Sequence, residues 1–207
     1  MDQVTLYLDT ARAYTRLVKL VRPEQWERPA LGVWDVRALV GHTTRALTTV
    51  VEYLSAPEPA ADATVLAAPE YFTAFATSPD KAAADDAVAA RGTAAGLELG
   101  SDPAARAAEL VEEVARALSG VRVDRLVVTR FGHLRLEEYL RTRTFELVVH
   151  GLDLARALDL PGEPLPASAV AGALELATQT AAASGRGPQV LAALTGRAPL
   201  PPGFALL

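Results

Sequence analysis

Residues 136–158 constrain the fold most, because polar side chains run down one side of the helix predicted there. On a helical wheel of about 100° per residue, Tyr139, Arg143, Glu146, His150 and Asp153 share one narrow stripe. Apolar residues flank it on both sides: Leu136, Leu140, Leu147 and Leu154 on one, and Phe145, Val149 and Leu152 on the other. The opposite side suits solvent and carries Glu137, Arg141, Thr144, Ala155 and Asp159. The stripe is therefore expected to point inward, where charges are costly unless they are paired or bind a metal.

Most of the remaining chain has apolar residues at three- and four-residue steps, which is typical of amphipathic helices. The pattern predicts helices at about 3–21, 35–56, 69–98, 103–119, 167–183 and 189–195, with a break at Ser78-Pro79. Residues 121–134 are the only convincing β-like segment and are expected to form a short connector. The sequence thus predicts an all-α fold: a four-helix bundle over residues 1–160, with a short C-terminal helical extension, residues 161–207, packed on the same domain.

Composition excludes several classes of function. The 207 residues include no cysteine, which excludes disulfide frameworks, thiolate zinc sites, iron–sulfur ligation and a cysteine nucleophile. Twenty basic and 25 acidic side chains give a net charge of −5, which argues against nucleic acid as a partner. The first residues lack a signal-peptide pattern, and no apolar stretch reaches the length of about 18 residues that a membrane span needs. We therefore expect a soluble, cytoplasmic protein with no membrane partner.

The polar stripe offers a metal site. Glu146 and His150 lie one turn apart on the same helix surface, close enough to bind one ion. His42, at the edge of the apolar stripe of the helix at 35–56, can supply a third ligand. Two histidines and one carboxylate suit zinc with an open coordination position, and the same set can hold iron(II), nickel or manganese. The blander alternative is a hydrogen-bonded core histidine beside a Glu146–Arg143 helix ion pair.

Other polar residues have two interpretations each. Asp153 either fixes the tautomer of His150 by accepting a hydrogen bond or has no role. Arg143 either holds Glu146 in place or binds a substrate carboxylate. Tyr139 and Tyr53 are either substrate contacts or core aromatics with satisfied hydroxyl groups. Arg186, between two glycines, is either a substrate-contacting loop residue or part of an ordinary helix connection.

Two further features receive structural interpretations. His133 beside Gly132 is expected to be an exposed loop residue rather than a ligand or general base. Trp34 and Asp35 are expected to be the hydrophobic staple and the N-cap of the helix at 35–56, without a catalytic role.

Two segments resemble the motifs of one known family. Residues 32–42, GVWDVRALVGH, and residues 143–155, RTFELVVHGLDLA, resemble the first and second motifs of the mycothiol-dependent maleylpyruvate isomerase family. That family belongs to the DinB-like superfamily of metal-binding four-helix bundles. The resemblance implies a DinB-like bundle in which His42, Glu146 and His150 coordinate a divalent ion, usually zinc. It also implies mycothiol, a low-molecular-weight thiol, as a co-substrate for isomerisation or S-transfer.

The function expected from these observations is a metal-dependent thiol S-transferase or isomerase acting on a small electrophilic molecule, with zinc activating the thiol. A metal-dependent hydrolase that uses the same three ligands is an open alternative, because the residues do not separate attack by water from attack by thiol. A non-catalytic helical binding module is the other alternative. Bundles of this kind often pair, so a homodimer is also open, although no residue indicates a dimer face.

Overall fold

Helices make up most of the chain in the computed structural model, which describes residues 2–60, 64–77 and 81–206. The helices are α1 (Gln3–Val18), α2 (Val36–Ser55), α3 (Ala68–Ala76), α4 (Lys81–Glu98), α5 (Pro103–Leu118), α6 (Leu136–Ala157), α7 (Ala167–Ala183) and α8 (Gly187–Leu194), with a 3₁₀ turn at Pro23–Gln25. The strands are β1 (Pro29–Leu31), β2 (Trp34–Asp35), β3 (Val65–Leu66), β4 (Leu126–Thr129) and β5 (Gly132–Arg135). The prediction of an all-α, DinB-like fold is confirmed.

Aspartate side chains fix the starts of three helices. The carboxylate of Asp2 accepts a hydrogen bond from the backbone N–H of Thr5 at the start of α1. Asp35 caps α2 in the same way, at 2.7 Å from the N–H of Ala38, as the sequence predicts. Asp102 caps α5. Each cap satisfies a backbone donor that has no partner inside its helix, which explains why these helices begin where they do.

Four helices enclose the main core. Helix α1 packs against α5 and α6, and α2 packs against the same two helices, so α1, α2, α5 and α6 form a closed ring. Their apolar stripes meet in the centre, where the side chains of Tyr7, Tyr14, Leu39, Leu47 and Leu140 are fully buried. Burial of these stripes is the main stabilising contribution to such a bundle. Helix α4 packs along α2.

The expected solvent side of α6 is partly covered, which corrects the wheel-based prediction. Thr144 and Ala155 are only 3% and 5% exposed. Helices α1, α2 and α7 all pack against α6. Gln3 of α1 donates a hydrogen bond to the hydroxyl of Thr144. A helix that is packed by several elements has little surface left for solvent, and its sequence pattern does not record how many neighbours it has.

The strands extend the β structure beyond the single connector that the sequence indicates. Strands β4 and β5 form an antiparallel hairpin over residues 126–135, which ends one residue beyond the predicted β-like segment 121–134, and β3 pairs with β5 in parallel, with Val65 opposite His133. A second hairpin joins β1 to β2. The expectation of an exposed loop at His133 is wrong, because this residue lies half-buried in β5. Strands of two or three residues are too short to show an alternation of apolar and polar residues, so they form because of the strands with which they pair.

The remaining helices lie around the bundle. The predicted helix at 69–98 is present as α3 and α4, and the predicted break at Ser78-Pro79 lies outside the described residues. Helix α7 packs on α6 and α3, and α8 packs on α7. Among the helices described, none is both long and apolar enough to span a membrane.

Candidate metal centre

The packing of α2 against α6 brings three candidate ligands together. His42 lies on α2, and Glu146 and His150 lie one turn apart on α6. One ligand atom from each of these side chains lies within 4.8 Å of the others. The sequence predicted the two α6 residues from a local pattern, but the approach of His42 depends on how the two helices pack.

His150 is held from both sides by carboxylates. Its Nε2 lies 3.3 Å from Oε2 of Glu146, and its Nδ1 lies 3.2 Å from Oδ2 of Asp153. The other carboxylate oxygen of Asp153 accepts a hydrogen bond from Arg156 at 2.9 Å. A carboxylate that accepts from Nδ1–H leaves Nε2 as the coordinating nitrogen, which is the common arrangement around metal-bound histidines. The geometry therefore matches the orienting role considered for Asp153.

Opposite pKa shifts distinguish the two histidines. Burial, together with the charge of His150, lowers the pKa of His42 to about 4. Burial also opposes a charge on His150, but its hydrogen bonds to Asp153 and Glu146 outweigh this effect and raise its pKa to about 9. The pKa of Glu146 falls to about 2, because His150 and Arg143 outweigh the effect of its burial. In the metal-free protein at neutral pH, an ionised Glu146–His150 pair thus faces a neutral His42.

Trp34 forms one wall beside His42. Its indole ring stacks on the imidazole ring at 4.4 Å between centroids, and its Nε1–H donates to the backbone carbonyl of Ala89 on α4. Sequence reasoning assigned Trp34 only a staple role and missed this contact. The available signal was an aromatic residue just before the N-cap of the helix that carries a candidate ligand.

Glycines allow the close approach of α4 to this site. A Cβ atom on Gly41 would lie 2.1 Å from the backbone nitrogen of Gly96, and one on Gly92 would lie 2.8 Å from the Trp34 ring. No side chain fits at either position without displacing a helix or the indole ring. The residue immediately before His42 is therefore in backbone contact with α4.

A cavity of about 470 Å³ opens beside the three candidate ligands. Its polar lining consists of His42, Arg45, Thr49, Arg91, Arg130, Arg143, Glu146 and His150. Its aromatic lining consists of Trp34, Tyr53, Tyr71, Phe72, Phe75, Phe131, Tyr139 and Phe145. This volume is in the range of small-molecule sites, and a mostly apolar wall with a few converging polar groups is typical of them.

The structure brings two of the three proposed substrate contacts to this cavity. Tyr53 and Tyr139 both line it. The hydroxyl group of Tyr139 donates a hydrogen bond to the hydroxyl of Thr49 at 2.7 Å, so it already has a partner. Arg186 does not line the cavity. It lies just before α8, where it contacts the backbone carbonyl of Ala205 and its guanidinium lies 5.8 Å from the ring of Phe204.

Arg143 is held by residues other than Glu146. Its Nε donates to the hydroxyl of Thr142 at 3.0 Å, and its guanidinium lies 4.9 Å from the ring centre of Tyr139 and 5.9 Å from that of Tyr71. Within the described residues, no ion-pair contact joins it to Glu146. Its charge nevertheless contributes to the low pKa of that carboxylate. The interaction is therefore electrostatic at a distance rather than a direct clamp.

Comparison with known proteins identifies the family. A family model described as mycothiol maleylpyruvate isomerase N-terminal domain matches residues 7–155. The chain belongs to this family. No curated protein and no solved structure matches it. All three candidate ligands of this mycothiol maleylpyruvate isomerase family member lie inside the matched range, whereas Arg186 lies outside it.

The donor set of this family member fits a divalent metal ion. Two imidazoles and one carboxylate are ligands that zinc and several other divalent ions accept. The Nδ1 atom of His42 is buried without a hydrogen-bond partner among the described residues. Buried polar atoms usually have partners, so the ring of His42 retains binding capacity that no protein group uses. The carboxylate of Asp153 lies 3.2 Å from Nδ1 of His150, an arrangement that is common around metal-bound histidines.

Proposed function

We propose that this chain is a metal-dependent thiol S-transferase or isomerase that acts on a small electrophilic molecule, with zinc as the metal and mycothiol as the thiol. The observation that carries the proposal is the convergence of His42, Glu146 and His150 on one wall of the cavity. The family match over the same residues supports it. Its partners are accordingly two small molecules, an electrophile and a thiol.

His42, Glu146 and His150 would hold the ion, and neighbouring residues would control the protonation of these ligands. With the ion bound, Asp153, 3.2 Å from Nδ1, would hold the one remaining proton of His150 on that atom and leave Nε2 for the ion. Arg143 favours the ionised form of Glu146 through its charge. When bound, a divalent ion would supply Lewis acidity that lowers the pKa of a thiol, so that more of the thiol is ionised at neutral pH. Because the chain has no cysteine, the thiol must come from a separate molecule.

The aromatic part of the cavity wall supports a thiol as the nucleophile. Aromatic side chains supply much of the lining, and Phe72 and Phe145 lie 5.0 Å apart between ring centroids beside Glu146. These rings accommodate a polarisable sulfur atom and an apolar electrophile. A hydrolase that uses the same ligands is the alternative, and thiol dependence of turnover separates the two.

The first test is the metal content of untagged protein by plasma mass spectrometry. About one zinc ion per chain is expected in the wild type, as in other three-ligand sites. His42→Ala and Glu146→Ala should lose it, while His133→Ala, which removes the histidine in β5 outside the cavity, should keep it. A folded wild-type protein that contains no metal and refuses added zinc would contradict the proposal and favour a helical binding module.

The second test compares turnover with and without thiol. The zinc-loaded protein is incubated with an epoxide, an α,β-unsaturated carbonyl compound and an activated halide, each with mycothiol or with no thiol. Product formation that requires the thiol and disappears in Glu146→Ala supports the proposal. Thiol-independent hydrolysis that disappears in the same variant would instead establish the hydrolase.

A further inference from the structure

The charge of the cavity lining is opposite to that of the whole chain. The protein carries a net charge of −5, yet the lining includes four arginines and a single carboxylate, Glu146. His150 pairs with that carboxylate at 3.3 Å. The positive charge that remains in the cavity is therefore not balanced by its own lining, and an anion would be attracted to it.

Three of these arginines come from three separate elements. Arg45 lies on α2, Arg91 on α4, and Arg130 in the turn between β4 and β5. In the described parts of the chain, none of the three guanidinium groups has a carboxylate within ion-pair distance. Partial burial, followed by the charges of Arg45 and Arg130, lowers the pKa of Arg91. Arg91 thus lies close enough to Arg45 and to Arg130 in the shared cavity lining to be repelled by each, which costs free energy unless an anion joins them.

A cluster of rings adjoins these arginines. The ring centroid of Phe131 lies 5.5 Å from that of Tyr71 and 5.9 Å from that of Phe75. Arg130 lies over the Phe131 ring at 5.6 Å, so the charged group and the ring cluster are in contact. An apolar ligand body lying against these rings can extend its charged end toward the arginines.

We propose that Arg45, Arg91 and Arg130 form an anion-binding subsite, and that the substrate accepted by this cavity is an organic anion with an apolar body of about ring size. The charged group is a carboxylate or a phosphate ester, since the guanidinium fork binds both through paired hydrogen bonds. The subsite deepens the proposed function, because it names the substrate class of the same cavity.

The test measures binding of three probes by titration calorimetry and ligand-detected NMR. The probes are 3-phenylpropionate, 2-phenylethyl phosphate and the neutral 3-phenylpropionamide. Each is titrated into the full chain as purified and again after chelation, so that binding to a metal is separated from binding to arginine. We expect at least one anion to bind about tenfold more tightly than the amide in both forms, and less tightly as salt is raised. The stronger anion identifies the charged group.

Charge-removing variants then locate the subsite. Arg45→Gln, Arg91→Gln, Arg130→Gln and the triple variant should lose most of the preference for the anion, while Arg91→Lys retains part of it. Arg116→Gln is the matched control, because Arg116 is an exposed arginine at the end of α5 outside the cavity. Unchanged affinity for the amide shows that a variant keeps an intact cavity.

Two results would overturn the inference: equal binding of the anions and the amide by the wild type, or an undiminished anion preference in the triple variant. Failure of the proposed function looks different. A protein that prefers the anions but binds no zinc contradicts only the metal-dependent reaction. A protein that binds zinc through His42 and Glu146 without preferring the anions contradicts only the subsite.

Discussion

The indole ring of Trp34 stacks on the imidazole ring of His42, with centroids 4.4 Å apart and planes inclined by 30°. A hydrogen bond from the indole Nε1 to Ala89, 3.0 Å long, anchors the indole to α4. His42 therefore has one face held by a fixed ring, although its Nδ1 has no hydrogen-bond partner among the described residues. The stack restricts the rotation of a candidate ligand that hydrogen bonds do not hold.

Removal of this ring is expected to weaken metal binding without removing a ligand. Trp34→Ala should lower zinc affinity by about tenfold, because residues that orient ligands typically contribute at least that much. Trp34→Phe keeps a ring and should lose less. Competition with a chromogenic chelator measures both affinities, and circular dichroism checks the fold. Wild-type affinity in a folded Trp34→Ala protein would refute the positioning role.

Asp153 is expected to set the affinity of His150 for the metal. Asp153→Asn removes the charge that orients the ring and should lower zinc affinity by about 10- to 100-fold. The same change at Asp159, whose side chain is 79% exposed, is the matched control and should have no effect on zinc affinity. In the metal-free protein, NMR titration of Asp153→Asn should also show a lower pKa for His150. Equal affinities in the two asparagine variants would exclude the orienting role.

The stability of the metal-free protein should fall on both sides of about pH 6.5, the ordinary pKa of histidine. The folded-state pKa of His150 is raised to about 9, so its contribution is complete below pH 6.5 and is lost as the pH rises through 9. The folded-state pKa of His42 is lowered to about 4. Its contribution to the free energy of unfolding is therefore complete above pH 6.5 and is lost as the pH falls through 4. Urea unfolding of chelated protein between about pH 5 and 9.5 measures both effects.

Two variants assign these slopes to residues. His150→Gln should flatten the decline on the alkaline side, and His42→Gln should flatten the decline on the acidic side. If the wild type and both variants share the same pH profile, the two histidines do not have the opposite shifts described here.

The contact between α2 and α4 should be intolerant of a methyl group. Gly41→Ala would place a Cβ atom 2.1 Å from the backbone of Gly96, and is expected to lower the free energy of unfolding by about 1–3 kcal/mol. Gly172→Ala on α7 is the matched control, since its nearest neighbour would be a side-chain atom of Leu6 at 3.6 Å. That change should be neutral or stabilise by up to about 1 kcal/mol. Equal urea midpoints for the two variants would contradict this account.

The sequence alone could predict the parts of the site that depend on local geometry. Glu146, His150 and Asp153 lie on one helix, where a spacing of three or four residues fixes their neighbourhood. The polar stripe with an apolar flank also predicted correctly that Tyr139 would be buried, at 1% exposed. His42 required the additional assumption that its helix packs against α6; its place at the edge of an apolar stripe indicated this, and the motif resemblance implied the same ligand.

Other parts depend on contacts that no local pattern records. The place of Trp34 follows from the β1–β2 hairpin and from the space that Gly92 leaves on α4. Arg91 and Arg130 lie far apart in sequence, on elements that carry no motif, and only the fold brings them to one cavity. The burial of Thr144 likewise follows from its neighbours in space, because α1 contributes the hydrogen bond that it accepts.

All of the residues that line the cavity, within the described chain, lie between Trp34 and His150. The candidate ligands lie on two long helices of the bundle, whereas much of the ring cluster and one arginine lie on α3 and the β4–β5 turn, outside the bundle ring. Short surface segments tolerate exchange better than core helices do. A new ligand preference could therefore evolve by replacing two brief segments while the reactive centre stays fixed. The same separation gives protein engineers two segments to randomise without disturbing the helices that build the core.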